Sequence, residues 1–292
     1  MQHADLVDNF QTQIFTEDQK WLLKKFITTS FYVLKMQLKA LTHVLKATST
    51  SYHCMKFLSF IFTILFLQTA SAQKSFVFPK VKQQGASVSQ LTPANWTVIA
   101  QVEGDLNNDQ HEDLAVVFES NKTADETRTY GDNNSEIIKE TQKPRILAIY
   151  FKNTITGGYQ LSTQNNDFIL RSEEGGKLGD PLQQIEIKEQ QLFLRFRGGS
   201  EWRWELGYTF KFQNKDWFLT NAINLYFNQN TGDMTERIYD FNTRELFTTV
   251  GNLHRRDIAN RRTSEVLYFS QLRTFKTFKK PWAWEIMPNV YL

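Results

Sequence analysis

Gly198-Gly199-Ser200-Glu201-Trp202-Arg203-Trp204-Glu205-Leu206-Gly207-Tyr208-Thr209-Phe210-Lys211-Phe212 is the stretch that decides the fold class. Successive side chains of an extended strand point to opposite faces. Trp202, Trp204, Leu206, Tyr208, Phe210 and Phe212 therefore share one face. Glu201, Arg203, Glu205, Thr209 and Lys211 take the other. Burying a large apolar side chain stabilises by roughly 1.5–3 kcal/mol, so the aromatic stripe reads as core. The competing reading leaves Trp202 and Trp204 exposed to stack on sugar rings. Glu201 and Glu205 would then be a carboxylate pair guided by Arg203. The plainer reading of those charges is a solvated row on a strand.

The same pattern extends outward. Gln184-Ile185-Glu186-Ile187-Lys188 and Gln191-Leu192-Phe193-Leu194-Arg195-Phe196-Arg197 alternate with period two and predict a tight hairpin just upstream. Downstream, Gln213-Asn214-Lys215 turns the chain into Asp216-Trp217-Phe218-Leu219. Ile223–Phe227 and Glu236–Phe241 flank a turn at Asn230-Thr231-Gly232-Asp233. Further upstream, 96–102, 114–119 and 145–151 read as strands from their β-branched and aromatic content. Gly157-Gly158 marks another hairpin. Residues 120–143 are polar, without apolar periodicity, and read as a long mobile loop. Residues 73–92 read as a mobile arm. The expectation is one β-rich domain over 93–292, mainly β: an antiparallel meander sheet or open barrel with few short helices.

Met55-Lys56 is followed by an apolar run, Phe57–Leu67, and then by Ala70-Ser71-Ala72. A positive start, a short apolar core and an A-x-A site form a secretory signal peptide at 55–72, cleaved before Gln73. The apolar core is about ten residues, short of the ~20 that span a bilayer. The alternative is a signal anchor that stays in the membrane, with 1–54 as a cytoplasmic arm. With Met55 as the start, residues 1–54 are an extension from a start-site error. The expected location is exported, periplasmic or extracellular.

Export changes the charge balance. Residues 1–72 hold seven of the 34 Lys+Arg and four of the 31 Asp+Glu, so the remainder carries 27 of each. The basic pI of about 8.8 is therefore no argument for nucleic acid as a partner. The one cysteine, Cys54, lies ahead of the signal, so the exported part has neither a disulfide nor a thiolate metal site. His111 and His254 are its only histidines, and neither sits in a Gly-x-Ser-x-Gly or His-Glu-x-x-His motif. The basic residues between 254 and 280 alternate with aromatics and read as a solvated face.

The sharpest chemical signal is Gly104-Asp105-Leu106-Asn107-Asn108-Asp109-Gln110-His111-Glu112-Asp113-Leu114. Asp105, Asn107, Asp109 and Asp113 fall at loop positions one, three, five and nine, with the His111 carbonyl at seven. Calcium takes six to eight oxygen ligands, and such a spacing supplies them from one loop. The competing reading is a hairpin turn shaped by Asx hydrogen bonds without an ion.

Lying between strands, this loop resembles the FG-GAP or VCBS calcium repeat over roughly 98–118. That resemblance implies calcium at Asp105, Asn107, Asp109, His111 and Asp113. Gln110 departs from it, standing where glycine is usual because the backbone there often needs a positive φ. A single loop does not imply the propeller of that family. Together with Gly179-Asp180-Pro181 and Gly198-Gly199-Ser200-Glu201-Trp202-Arg203-Trp204, the loop also resembles a group of uncharacterised exported bacterial proteins, over roughly 96–250. The functional expectation is an exported binding or structural protein of open specificity with one calcium loop, its partner a glycan or a cell-surface protein. A secreted glycan hydrolase using Glu201 and Glu205 is the second expectation.

Overall fold

The computed structural model describes residues 76–129, 137–255, 259–288 and 290–292. The segments expected to be a signal peptide (55–72) and an extension before it (1–54) lie outside the described residues. The fold is mainly β and antiparallel. In chain order its elements are β1 (Gln84–Gly85), the short helix α1 (Val88–Leu91), β2 (Trp96–Gly104), β3 (Asp113–Ser120), β4 (Ala124–Thr129), β5 (Ile137–Gln142), β6 (Arg145–Lys152) and β7 (Tyr159–Asn165). A 3₁₀ segment, Ser172–Leu178, leads to β8 (Leu182–Lys188), β9 (Gln191–Gly199), β10 (Trp202–Gln213), β11 (Asp216–Asn228), β12 (Asp233–Asp240), β13 (Glu245–Asn252) and β14 (Arg261–Val266). The chain closes with β15 (Glu285–Met287) and β16 (Val290–Tyr291).

β8 to β14 form a seven-stranded meander in sequence order. Turns of two to four residues join the strands from β8 to β13, so each of these pairs with its neighbour in sequence. β1, β7, β6, β3 and β2 make a five-stranded sheet, and β4 pairs with β5 alone. The two larger sheets approach where β2 meets β8. A Cβ added to Gly104 would lie 2.7 Å from Ile187, so glycine permits that approach. Among the described residues no helix is long and apolar enough to cross a membrane.

The main core lies between the five-stranded sheet and one face of the meander. Ala115, Val117, Leu147 and Ile149 meet Leu194, Phe196, Leu206, Tyr208, Phe210 and Tyr239 there. Phe168, in the connection after β7, is fully buried and touches the rings of Phe196, Tyr208, Phe210, Phe275 and Phe278. The C-terminal segment closes this core. Phe275, Phe278, Trp284, Ile286 and Leu292 are buried in it, and the Leu219 N–H donates to the Arg273 carbonyl at 2.8 Å.

Three stretches depart from expectation. The described part of 73–92 is packed rather than an arm. Phe76, Phe78, Val81, Val88 and Leu91 cover the second face of the five-stranded sheet, over Leu114, Val116, Phe118, Ile146 and Ala148. Those five apolar residues are too sparse and irregular to show a period. The excursion at 120–143 contains the β4–β5 hairpin, whose charged and Thr-rich strands have no apolar alternation beyond Ile137 and Ile138. Glu126 docks it by accepting from Arg171 at 3.0 and 3.1 Å. The aromatic stripe is core at Leu206, Tyr208 and Phe210, but Trp204 and Phe212 are half-buried and Trp202 keeps 43% of its surface exposed. Trp204 and Phe212 still pack against the margin of the core, Phe212 with its ring centre 4.7 Å from that of Phe151 on β6.

Candidate functional site

The loop between β2 and β3 brings Asp105, Asn107, Asp109, His111 and Asp113 into one short excursion. Gly104 pairs with Asp113 at its base. Asp113 is fully buried, and its two carboxylate oxygens accept from the Leu106 and Lys152 N–H groups at 2.9 and 2.8 Å. Burial raises its pKa above the ordinary carboxylate value. The two backbone N–H groups partly offset that rise, and the charges of Asp109 and Asp105 add to it.

Asp105 organises the turn. Its Oδ1 accepts from the Asn108 and Asp109 N–H groups at 2.7 and 3.2 Å, and its Oδ2 from Gln110 at 3.0 Å. Asn107 Oδ1 also accepts from Asp109 N–H, at 3.0 Å. Asp109 in turn accepts from the His111 N–H at 2.9 Å and from the Asn107 amide at 3.0 Å. Wrapping this many N–H groups around carboxylates forces positive φ at Asn108 (63°) and Gln110 (67°). Gln110 thus adopts the left-handed conformation that favours glycine.

The donor set of three carboxylates, an amide oxygen and main-chain carbonyls is the hard-oxygen set that calcium takes. A carboxylate oxygen accepting one bond retains a lone pair. Asp105 Oδ2, both oxygens of Asp113 and Oδ2 of Asp109 are in that condition. Among the described residues no three His, Cys, Asp or Glu side chains gather as a metal centre. A cation here would therefore rest on Asn107 and main-chain oxygens as well as on carboxylates. The His111 ring turns back on Asp109, with Nδ1 2.8 Å from the Asp109 carbonyl.

Glu201 and Glu205 have separate partners. Glu205, on the outer face of β10, is paired with Arg195 and with Arg197, the latter at 3.3 Å. Glu201 accepts from the Asn228 amide at 3.1 Å. Arg203 is held by Gln229, not by either carboxylate. Trp204 stands edge-on to Trp282, ring centres 5.0 Å apart.

The two short motifs hold the chain together. Gly198 lies under the Trp204 indole and against Gly175, where a Cβ would collide with the indole ring. Gly199 has φ +103° with the Trp202 carbonyl against it. Asp180 of Gly-Asp-Pro pairs with Arg145, a fully buried guanidinium that also donates to Glu119 and, at 2.8 Å, to the Leu170 carbonyl. Arg145 thus ties β6 to β3 and to the start of β8. No signal of spacing marks Arg145 in the sequence.

A polar group within the core also escaped the sequence. The hydroxyls of Tyr208 and Tyr239 and the Asn224 Oδ1 are buried on the inner face of the meander without a protein hydrogen-bond partner. Burial pushes both phenols far up. No protein-family model, curated protein or solved structure matches the chain.

Proposed function

We propose that the chain is an exported binding or structural protein whose β2–β3 loop holds one calcium ion. The observation that supports this reading best is the loop's own conformation. Asp105 collects three consecutive N–H groups, and Gln110 takes the left-handed backbone of the glycine position it replaces. Asp105, Asn107, Asp109 and Asp113 would hold the ion, with the His111 carbonyl. Calcium supplies positive charge among carboxylates that repel one another, and so stabilises the base of the β2–β3 hairpin. The signal peptide at 55–72 supports export to a compartment where millimolar calcium is available. A glycan or cell-surface protein is the partner, and Trp202, with 43% of its surface exposed, offers an aromatic face suited to a sugar.

An ion that binds the folded loop and not the unfolded chain raises stability by mass action, by about 2.7 kcal/mol at a hundredfold excess over its dissociation constant. Melting is therefore expected to rise in millimolar calcium and to return with chelator. Magnesium, which demands a tight octahedral site, is expected to act poorly. Asp109→Ala should abolish the response and leave the apo fold intact. Gln110→Gly should enlarge it by relieving the strained φ. Calorimetric titration that stays silent up to millimolar calcium would leave the loop as a turn built on Asx hydrogen bonds.

A further inference from the structure

Among the described residues, the last strand of the meander is exposed along its whole length. All six residues of β14 are exposed, and among the described residues β14 stands at the end of its sheet, bonded to β13 alone. Its other side presents a row of backbone donors and acceptors, the template for strand addition. On this edge strand Val266 keeps 59% of its surface exposed. Natural edges are commonly blocked by charge. Here the charges are of opposite sign and spaced four apart: Arg261 and Glu265, flanking Thr263.

We propose that β14 is a homodimerisation edge, at which a second copy adds antiparallel about a two-fold axis through Thr263. A two-fold axis perpendicular to the sheet keeps inner faces with inner faces, so only residues of the same strand parity stand opposite one another. Centred on Thr263, the register sets Arg261 against the partner's Glu265, Glu265 against the partner's Arg261, and Arg262 against the partner's Ser264. Centred on Arg261, Arg262 or Glu265, it sets like charges face to face, which destabilises a strand pair. Centred on Ser264, it leaves Arg262 facing the partner's Val266 and pairs no charge. The sequence Arg-Arg-Thr-Ser-Glu is thus complementary to itself in a single face-preserving register. Arg262 is already drawn over the Phe247 ring, 4.7 Å from its centre, which keeps it off the edge. The result is a continuous sheet of two seven-stranded meanders, with Val266 at the seam.

Sedimentation velocity of the purified protein over a wide concentration range tests this. A concentration-dependent monomer–dimer equilibrium is expected. Arg261→Glu and Glu265→Arg, each alone, place like charges opposite each other twice per dimer and should weaken association by about tenfold. The double variant R261E/E265R exchanges the charges and should restore it. Unchanged melting and circular dichroism identify the variants as folded, since both side chains are exposed. A protein that stays monomeric at every concentration overturns the proposal. So does a dimer that ignores both single variants, or a double variant no better than the singles.

Discussion

β3 and β6 bury nearly every residue along their length, whereas β10 and β11 bury mainly alternate ones. The first pair lies in a sheet covered on both faces, by the meander on one side and by residues 76–91 on the other. The second pair has one covered face and one that meets water. The sequences differ accordingly: Leu114-Ala115-Val116-Val117-Phe118 is a continuous apolar run, and Leu206 to Phe212 alternates. A continuous run announces a second cover but does not say what supplies it. Here it is a stretch that reads as polar, with five scattered apolar side chains.

The largest effect is expected in the main core. Phe168→Ala removes a ring of the main core that joins the meander to the C-terminal aromatics and should cost about 4 kcal/mol in urea denaturation, near the upper end for aromatic truncation. A cost under about 1 kcal/mol would mean that the core between the meander and the C-terminal segment is loosely packed. The comparison itself is tested by one substitution made twice. Ile146→Ala, beneath the N-terminal cover, should cost about 3 kcal/mol. Ile223→Ala, on the wet face of the meander where 38% of its surface is exposed, should cost no more than about 0.5 kcal/mol. Equal costs would mean either that the N-terminal cover is loose or that the meander's outer face is covered too.

A smaller effect is expected at Gly198. Adding a methyl group in Gly198→Ala must move the Trp204 indole or Gly175, and overpacking of this kind costs about 1–3 kcal/mol. A neutral result by thermal melting would show that the Gly-Gly pair serves something other than Trp204. The smallest effect is expected within the meander's inner face. Tyr208→Phe deletes a buried hydroxyl that no protein group satisfies. It should be neutral or stabilising by up to about 1 kcal/mol. A loss above about 1 kcal/mol would show that the hydroxyl is hydrogen-bonded to bound water.

Alternation and turn chemistry made the meander legible, because each strand pairs with the next and the loops between are short. The Asp105 loop was legible because its donors lie on consecutive odd positions of a single turn. Arg145 was not, since its partners Glu119, Leu170 and Asp180 come from three separate parts of the chain. The β4–β5 hairpin was not, since backbone pairing holds strands that have no apolar alternation beyond Ile137 and Ile138.

Alone, the sequence determined the β class, the core stripe at Leu206, Tyr208 and Phe210, and the acidic turn from Asp105 to Asp113. These depend on residues close along the chain, where spacing translates directly into geometry. Only the tertiary structure decided which segment covers the five-stranded sheet, where the C-terminal aromatics lodge, that Trp202 stays exposed while Leu206 is sealed, and that β14 is left as an open edge. Each of those depends on which distant surface arrives opposite a given side chain, and no local period encodes that.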